Sequence, residues 1–224
     1  MTGPSDDMPP RPKAPLFPLP NVVLFPGAIL PLHIFEPRYK QMTTDALDGN
    51  GLVAMALLQA GWEKDYYGRA AIEPVVCVGA IMAHEKLDDG KFNLLLQGRW
   101  RATVVDESTA GGDTPYRLAR LCQLAEQPAL EIDLVDERQH IARFFDETKF
   151  GGSAAGRQFV RLLAGPMLTS EIADLIAFNF LSDVSLKQAL LAEPDVRRRV
   201  ERVVAELDKL RPAPFRSDED ASLN

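Results

Sequence analysis

Few segments of this sequence combine residue types and spacing that could support catalysis, and the first is a glycine-rich stretch, GGSAAGRQ, at 151–158. A phosphate-binding loop requires a lysine for the phosphates and a hydroxyl for magnesium, placed between a strand and a helix. Here Arg157 stands in place of the lysine and Gln158 in place of the hydroxyl residue. The preceding residues are predicted to be helical, so the stretch does not indicate a nucleotide site.

The histidines and cysteines are too few and too scattered for a metal site or a catalytic centre. A structural zinc site needs four close Cys or His ligands, whereas the chain has Cys77, Cys122 and the isolated His33, His84 and His140. No histidine lies in a motif with a nucleophile and an orienting acid, and no serine lies in a GxSxG turn. We therefore expect no catalytic residue, no metal and no cofactor. The three histidines are expected to be surface or hydrogen-bonded structural residues.

Three further groups of residues have structural interpretations. The cysteines are expected to be small buried side chains in a reducing compartment, although one bridge between them is left open. Asp88 and Asp89 precede Gly90, an arrangement typical of a turn. The arginines of the last helical segment lie within a turn of two glutamates, which favours a solvated, ion-paired face over a partner-binding one. They are Arg197, Arg198, Arg199 and Arg202, with Glu201 and Glu206.

One aromatic cluster occurs in a polar setting, AGWEKDYYGRA, which contains Trp62, Tyr66 and Tyr67. Exposed aromatic side chains are favoured anchors for protein contacts, because they bury a large area at low entropic cost. These three residues are the candidate protein-binding site. The alternative is that they fold back over the β core, since tryptophan is highly buried on average.

The composition is that of an ordinary globular protein, with 224 residues, 46% of them hydrophobic and 25% charged. The formal net charge of −7 opposes binding to nucleic acid, which depends on Lys and Arg neutralising phosphates. The N-terminus lacks the basic and apolar regions of a secretion signal. No apolar run reaches the ~20 residues of a membrane-spanning helix, so a cytoplasmic location without membrane contact is expected.

Changes in hydrophobic periodicity divide the chain into four predicted parts. Residues 1–13 and 212–224 are rich in proline and charge and are expected to be a disordered leader and tail. Residues 14–124 contain short apolar runs punctuated by Gly and Pro, which indicate a β-rich subdomain. Residues 125–211 show helical spacing and indicate a helical subdomain.

The predicted strands have short apolar runs rich in β-branched residues. They cover 22–25, 52–58, 75–83, 92–96, 102–105 and 116–124. Asp89-Gly90 predicts an antiparallel hairpin between the third and fourth of these. Prolines cannot donate to a β-ladder, so the opening segment is expected to pair only in short pieces at a sheet edge or barrel rim.

The predicted helices begin at recognisable start signals. Pro37 suits the first turn of a helix with Tyr39, Met42, Ala46 and Leu47 on its apolar side. In the second half, helices are predicted over 130–149, over 168–180 with Thr169 or Ser170 as N-cap, from a capping box at Ser185–Gln188, and over 196–210.

A longer motif resembles a known family. It comprises Leu16-Phe17-Pro18-Leu19, Val22-Val23-Leu24-Phe25-Pro26-Gly27, Leu30-Pro31-Leu32 and Ile34-Phe35-Glu36-Pro37-Arg38-Tyr39. The stretch is similar to the N-terminal, substrate-binding domain of Lon-type ATP-dependent proteases, and weaker likeness extends over roughly 14–211. The resemblance implies an α+β fold, with a PUA-like β pseudo-barrel followed by an α-helical bundle.

The resemblance also implies a role in binding. Because the chain ends at Asn224, it is expected to be a stand-alone Lon-domain protein without the ATPase motor and peptidase. The first hypothesis is therefore a non-catalytic module that binds unfolded or tagged polypeptides and works with a separate protease or chaperone. The alternatives are a hydrolase with an unrecognised site and a self-association module. The first hypothesis predicts neither ATP hydrolysis nor casein degradation.

Overall fold

The computed structural model describes residues 13–108, 114–148, 150 and 152–211, and in this part the chain forms one six-stranded mixed sheet and six α-helices. The strands are β1 (Lys13–Leu19), β2 (Ile29–Ile34), β3 (Leu52–Leu57), β4 (Val75–Lys86), β5 (Phe92–Ser108) and β6 (Arg117–Gln123). The helices are α1 (Pro37–Asp48), α2 (Val135–Glu147), α3 (Ala154–Ala164), α4 (Thr169–Phe180), α5 (Val184–Ala192) and α6 (Val196–Lys209). Short 3₁₀ turns cover Trp62–Asp65 and Glu131–Leu134.

The sheet closes on itself because β5 is long enough to serve three neighbours. The strand order is β2-β5-β4-β3-β1-β6, and β6 pairs in turn with the second half of β5. Register shifts in the β4–β5 and β5–β6 ladders mark the bulges that let so long a strand bend. The predicted pseudo-barrel and the α+β class are confirmed, and the hairpin turns at Gly90 with φ 75°.

The opening segment pairs in short pieces, as expected from its prolines, but not only at an edge. Residues 13–16 of β1 pair with β6 and residues 16–19 pair in parallel with β3, so β1 lies inside the sheet. Among the described strands, only β2 lies at an edge, where it pairs with β5 alone. The predicted strand at 22–25 is wrong, because Val23, Leu24 and Phe25 are buried in irregular structure instead.

Two apolar clusters explain why the central strands carry nearly continuous apolar runs. Small side chains fill the barrel interior, whereas larger ones on the opposite face pack against the helices. In β3, for example, Ala54 and Ala56 point inward, while Val53 and Met55 belong to the cluster that includes the helices. The predicted boundary near residue 125 stays a prediction, although every strand ends before it and α2–α6 begin after it.

The helix starts differ from the predicted caps by one or two residues. Helix α4 begins at Thr169, and the Glu171 side chain accepts a hydrogen bond from the Leu168 backbone N–H. Helix α5 is capped by Asp183, not by Ser185, because the Asp183 carboxylate accepts from two backbone N–H groups at its start. The predicted helix over 130–149 is a 3₁₀ turn followed by α2.

The remaining segment predictions have mixed outcomes. Helix α1 starts at Pro37 and buries Tyr39, Met42 and Ala46 as predicted, whereas the fourth residue of the predicted apolar side, Leu47, is only partly buried. Lys13, assigned to the leader, is the first residue of β1. Predictions for 1–12 and 212–224 lie outside the described residues.

Candidate functional site

The outer face of β2, β5 and β4 carries two rows of side chains that run across the three strands. Pro31, Leu95 and Ala83 are register partners and form an apolar row. In the neighbouring row, His33 Nδ1 lies 2.8 Å from Asn93 Oδ1, and Asn93 Nδ2 donates to Glu85 Oε2 at 3.3 Å. Together the rows make a surface that is apolar at one end and polar at the other.

This surface is a shallow groove with a volume of about 470 Å³, which we call the sheet groove. Its lining residues are Pro31, Leu32, His33, Ala83, His84, Glu85, Asn93, Leu94 and Leu95. Leu95 is 42% exposed, and the adjoining Ile29, Phe35 and Met82 are exposed as well. Several large apolar side chains exposed together mark an interaction surface more often than single exposed ones do.

The edge of the sheet beside the groove is partly blocked against strand addition. The edge strand β2 places Pro31, which has no N–H, in its middle. A proline on an edge strand discourages uncontrolled pairing with other chains. The contacts that this surface offers are therefore mainly those of the groove side chains, not those of a full backbone ladder.

The sheet groove was not among the sequence-predicted sites. In a half-exposed strand, neighbouring side chains point to opposite faces, so a run such as Leu94-Leu95-Leu96 must place one leucine outside. That signal was present in the sequence. The row that Leu95 forms with Pro31 and Ala83 required the strand order and register.

The predicted aromatic cluster lies beside a second, smaller cleft. Trp62 and Tyr66 are partly buried and in edge contact, with ring centroids 5.3 Å apart, and Tyr67 is 88% exposed. The Arg38 guanidinium carbon lies 4.7 Å from the Tyr66 ring centroid and 5.6 Å from that of Tyr67. The role of these residues in protein binding stays a prediction.

This cleft, which we call the tyrosine cleft, has a volume of about 110 Å³. Its lining residues are Leu16, Pro18, Arg38, Tyr39, Leu58, Tyr66, Tyr67, Gly68, Ala70, Pro115, Tyr116 and Arg117. Two of its tyrosine hydroxyls are committed to carboxylates: Tyr66 donates to Glu36 at 2.7 Å, and Tyr116 donates to Asp45 at 2.6 Å. Burial, followed by these hydrogen bonds, raises the pKa of both phenols.

The other polar candidates have structural surroundings. His140 Nε2 lies 2.8 Å from Asp208 Oδ1 between α2 and α6, and His84 is an exposed lining residue of the sheet groove. Both cysteines are free. Cys77 is buried, and burial raises its pKa to about 12, whereas Cys122 is exposed and the prediction of its burial is wrong. Cys122 lies on the outer side of β6, next to the inward Leu121.

The arginine cluster of α6 is only partly a solvated face. Arg197 pairs with Glu201 at i,i+4 as predicted, with Nε and Oε1 3.4 Å apart. Arg199 corrects the prediction, because it is 2% exposed and belongs to a buried network with Arg101, Asp174 and Glu126. Arg199 faces inward because it lies next to the apolar stripe of α6, which includes Val200 and Val203.

Within the described residues, no three His, Cys, Asp or Glu side chains lie close enough together to hold a metal ion. In the same part of the chain, no helix is both long enough and apolar enough to cross a membrane.

Comparison with known proteins places this fold among Lon domains. Lon protease from Desulfosudis oleivorans is 25% identical over 92% of the chain, and Lon protease 2 from Myxococcus xanthus is 27% identical over 88%. The chain spans about a quarter of the length of these relatives, since the matches cover 25% and 24% of them.

Solved structures show the same architecture. The N-terminal domain of the Mycobacterium avium complex Lon protease aligns with a TM-score of 0.68 at 11% identity, covering 88% of this chain and 98% of that one. The Lon N-terminal domain protein from Xanthomonas campestris aligns with a TM-score of 0.64 at 22% identity, covering 87% and 98%. The model of the ATP-dependent protease La (LON) substrate-binding domain matches residues 13–209. The chain therefore belongs to the LON substrate-binding domain family.

Proposed function

We propose that this protein is a non-catalytic module that binds extended, apolar segments of unfolded polypeptides, and that the sheet groove is the principal contact surface. The observation that carries the proposal is the apolar row of Pro31, Leu95 and Ala83 on a solvent-facing sheet. Covering such a surface with an apolar segment lowers the free energy by about 25 cal/mol per Å² of apolar area buried. The family's substrate-binding description supports the same role.

The polar row at one end of the groove orients a bound segment relative to the strands. His33, Asn93 and Glu85 can form hydrogen bonds with polar groups of a bound segment, while the apolar row holds its hydrophobic side chains. Sites that bind ligands commonly combine an apolar lining with a few placed polar groups. The predicted aromatic residues Trp62, Tyr66 and Tyr67 are proposed as a second contact surface.

Replacing Leu95 by aspartate is expected to weaken binding of reduced, carboxymethylated lactalbumin at least about tenfold, because the change puts a charge in the centre of the apolar row. Fluorescence anisotropy of labelled lactalbumin measures the affinity. The matched control is Val105→Asp on the same strand, since Val105 is 43% exposed and lies outside the groove. Equal affinity for the Leu95→Asp variant and the unmodified protein would exclude the groove.

The same mixtures distinguish binding from turnover. Binding without turnover leaves the lactalbumin intact on gels and consumes no ATP. Cleavage of the lactalbumin by pure protein, lost on a single substitution, would favour the hydrolase alternative. A molecular mass in solution that rises with protein concentration, without binding of lactalbumin, would favour the self-association alternative.

A further inference from the structure

The tyrosine cleft has a polar character that distinguishes it from the sheet groove, and its charges are already matched. Arg38 Nε donates to Glu36 at 3.1 Å, and Arg117 Nε donates to Glu107 at 2.8 Å. Arg117 Nη1 also donates to the Ala70 carbonyl at 2.9 Å. A charged ligand would find no unmatched countercharge among these groups, so the cleft favours a neutral one.

Several hydrogen-bond donors of the cleft are uncommitted. Among the described residues, the hydroxyls of Tyr39 and Tyr67 have no hydrogen-bond partner, and neither has the buried Arg38 Nη2. The hydroxyls of Tyr66 and Tyr116 both donate to carboxylates. Burial raises the pKa of Tyr39, so its phenol keeps its proton at neutral pH and remains a donor. The neighbouring carboxylates already accept hydrogen bonds, so a ligand with free acceptors and few donors is preferred.

The aromatic walls are held in place before any ligand arrives. Arg38 Nη1 donates to the Tyr66 carbonyl at 3.2 Å, and the guanidinium carbon is 4.6 Å from the Tyr39 ring centroid. The rings of Tyr66 and Tyr67 meet edge to face with centroids 5.1 Å apart. Preorganised aromatic rings reduce the entropy lost on binding.

We infer that the tyrosine cleft binds proline-containing segments of a partner polypeptide in the polyproline II conformation. Proline has no backbone N–H, its ring packs flat against tyrosine, and every carbonyl of such a segment is free to accept from Tyr39. Aromatic-lined grooves are a recurring mode of binding such segments. The inference rests on the proposed polypeptide-binding function and names the ligand class of its second surface.

Titration of the ¹⁵N-labelled full chain with a short capped peptide of PxxP spacing tests the inference by NMR. The peptide is expected to shift amides of residues 66–70 and 116–117, and its proline-to-alanine version is expected not to. Tyr39→Phe removes only the hydroxyl and is expected to weaken binding about fivefold. Tyr67→Ala is expected to weaken it about tenfold. The control is Leu130→Ala, since Leu130 is an exposed apolar residue immediately before the 3₁₀ turn at Glu131–Leu134.

Several results would overturn the inference. These are equal binding of the alanine peptide, unchanged affinity of the Tyr39→Phe variant, or shifts confined to β2 and β5. If Pro9→Ala and Pro10→Ala shift the amide signals of the cleft in the absence of peptide, the occupant of the cleft is the chain's own proline segment. If those signals shift with protein concentration, the occupant is a second copy of the chain. Lactalbumin binding by the Leu95→Asp variant reports separately on the proposed function, so the two failures are distinguishable.

Discussion

Replacing Asp174 by asparagine is expected to lower the free energy of unfolding by about 3–5 kcal/mol, because it removes the central anion of a buried network. Asp174 is 4% exposed, with Oδ1 2.6 Å from Arg101 Nη2 and 3.3 Å from Arg199 Nε. Glu126 pairs with both arginines but is itself partly exposed. The variant therefore leaves two buried guanidiniums with one carboxylate at the edge of the network.

The network connects strand β5, helix α4 and helix α6, so its loss affects how the helices pack on the barrel. Arg101 Nε donates to the Leu191 carbonyl and Arg199 Nη1 to the Glu193 carbonyl, which adds the end of α5. Burial alone would lower the pKa of Arg101, but the Asp174 and Glu126 carboxylates outweigh it and the pKa is raised. Arg101 therefore stays charged and needs its counterions.

Urea unfolding at equilibrium measures the effect of Asp174→Asn, with Asp106→Asn as the control. Asp106 pairs with Arg120 at 3.1 Å in an exposed setting, and its loss is expected to cost less than about 1 kcal/mol. Replacing the buried members of an ion cluster by apolar residues is often neutral, and Glu126, the remaining member, is partly exposed to water. The Arg101→Met, Asp174→Leu, Arg199→Met triple variant is therefore expected to recover stability. A loss under about 1 kcal/mol for Asp174→Asn would contradict the account.

Replacing Gly98 by alanine is expected to lower the free energy of unfolding by about 3 kcal/mol, which corresponds to a Tm lower by roughly 6–12 °C. A Cβ at this position would lie 2.0 Å from the Phe25 carbonyl oxygen and 3.1 Å from Cys77 Sγ. The loop cannot yield easily, since the Gly98 N–H donates to Ala28 and the Gly98 carbonyl accepts from Gly27, both at 2.9 Å.

Differential scanning calorimetry of the Gly98→Ala variant checks this expectation, with Gly165→Ala as the control. A Cβ at Gly165 would lie no closer than 3.4 Å to its nearest neighbours, and its φ is not positive. The control is expected to change stability by less than about 1 kcal/mol. Similar stability of the two variants would show that the loop moves aside without cost.

The sequence was sufficient to predict elements whose evidence is local. The apolar runs of β3 and β4, the turn at Gly90 and the start of α1 at Pro37 all depend on neighbouring residues. The strand predicted at 22–25 failed because burial, not strand pairing, explains its apolar residues. Nothing in the sequence around Gly98 indicated that the segment of residues 25–28 packs directly against it.

Features built from distant segments were beyond the sequence. Arg199 resembled the other arginines of its helix, and only the packing of α4 and α6 places it against Asp174. The sheet groove likewise depends on β2, β5 and β4 lying side by side, which brings residue 31 next to residues 83 and 95. The predicted aromatic residues are close together in the sequence, but the cleft beside them also includes residues from β1 and β6, which the sequence did not connect with them.

Hydrogen exchange of the full chain, with and without saturating reduced, carboxymethylated lactalbumin, tests the central claim most directly. Binding in the sheet groove is expected to slow amide exchange in residues 29–34, 82–86 and 93–97, the three strand segments that form it. Protection confined to the helices α2–α6, with unchanged exchange in these three segments of a saturated complex, would contradict the account.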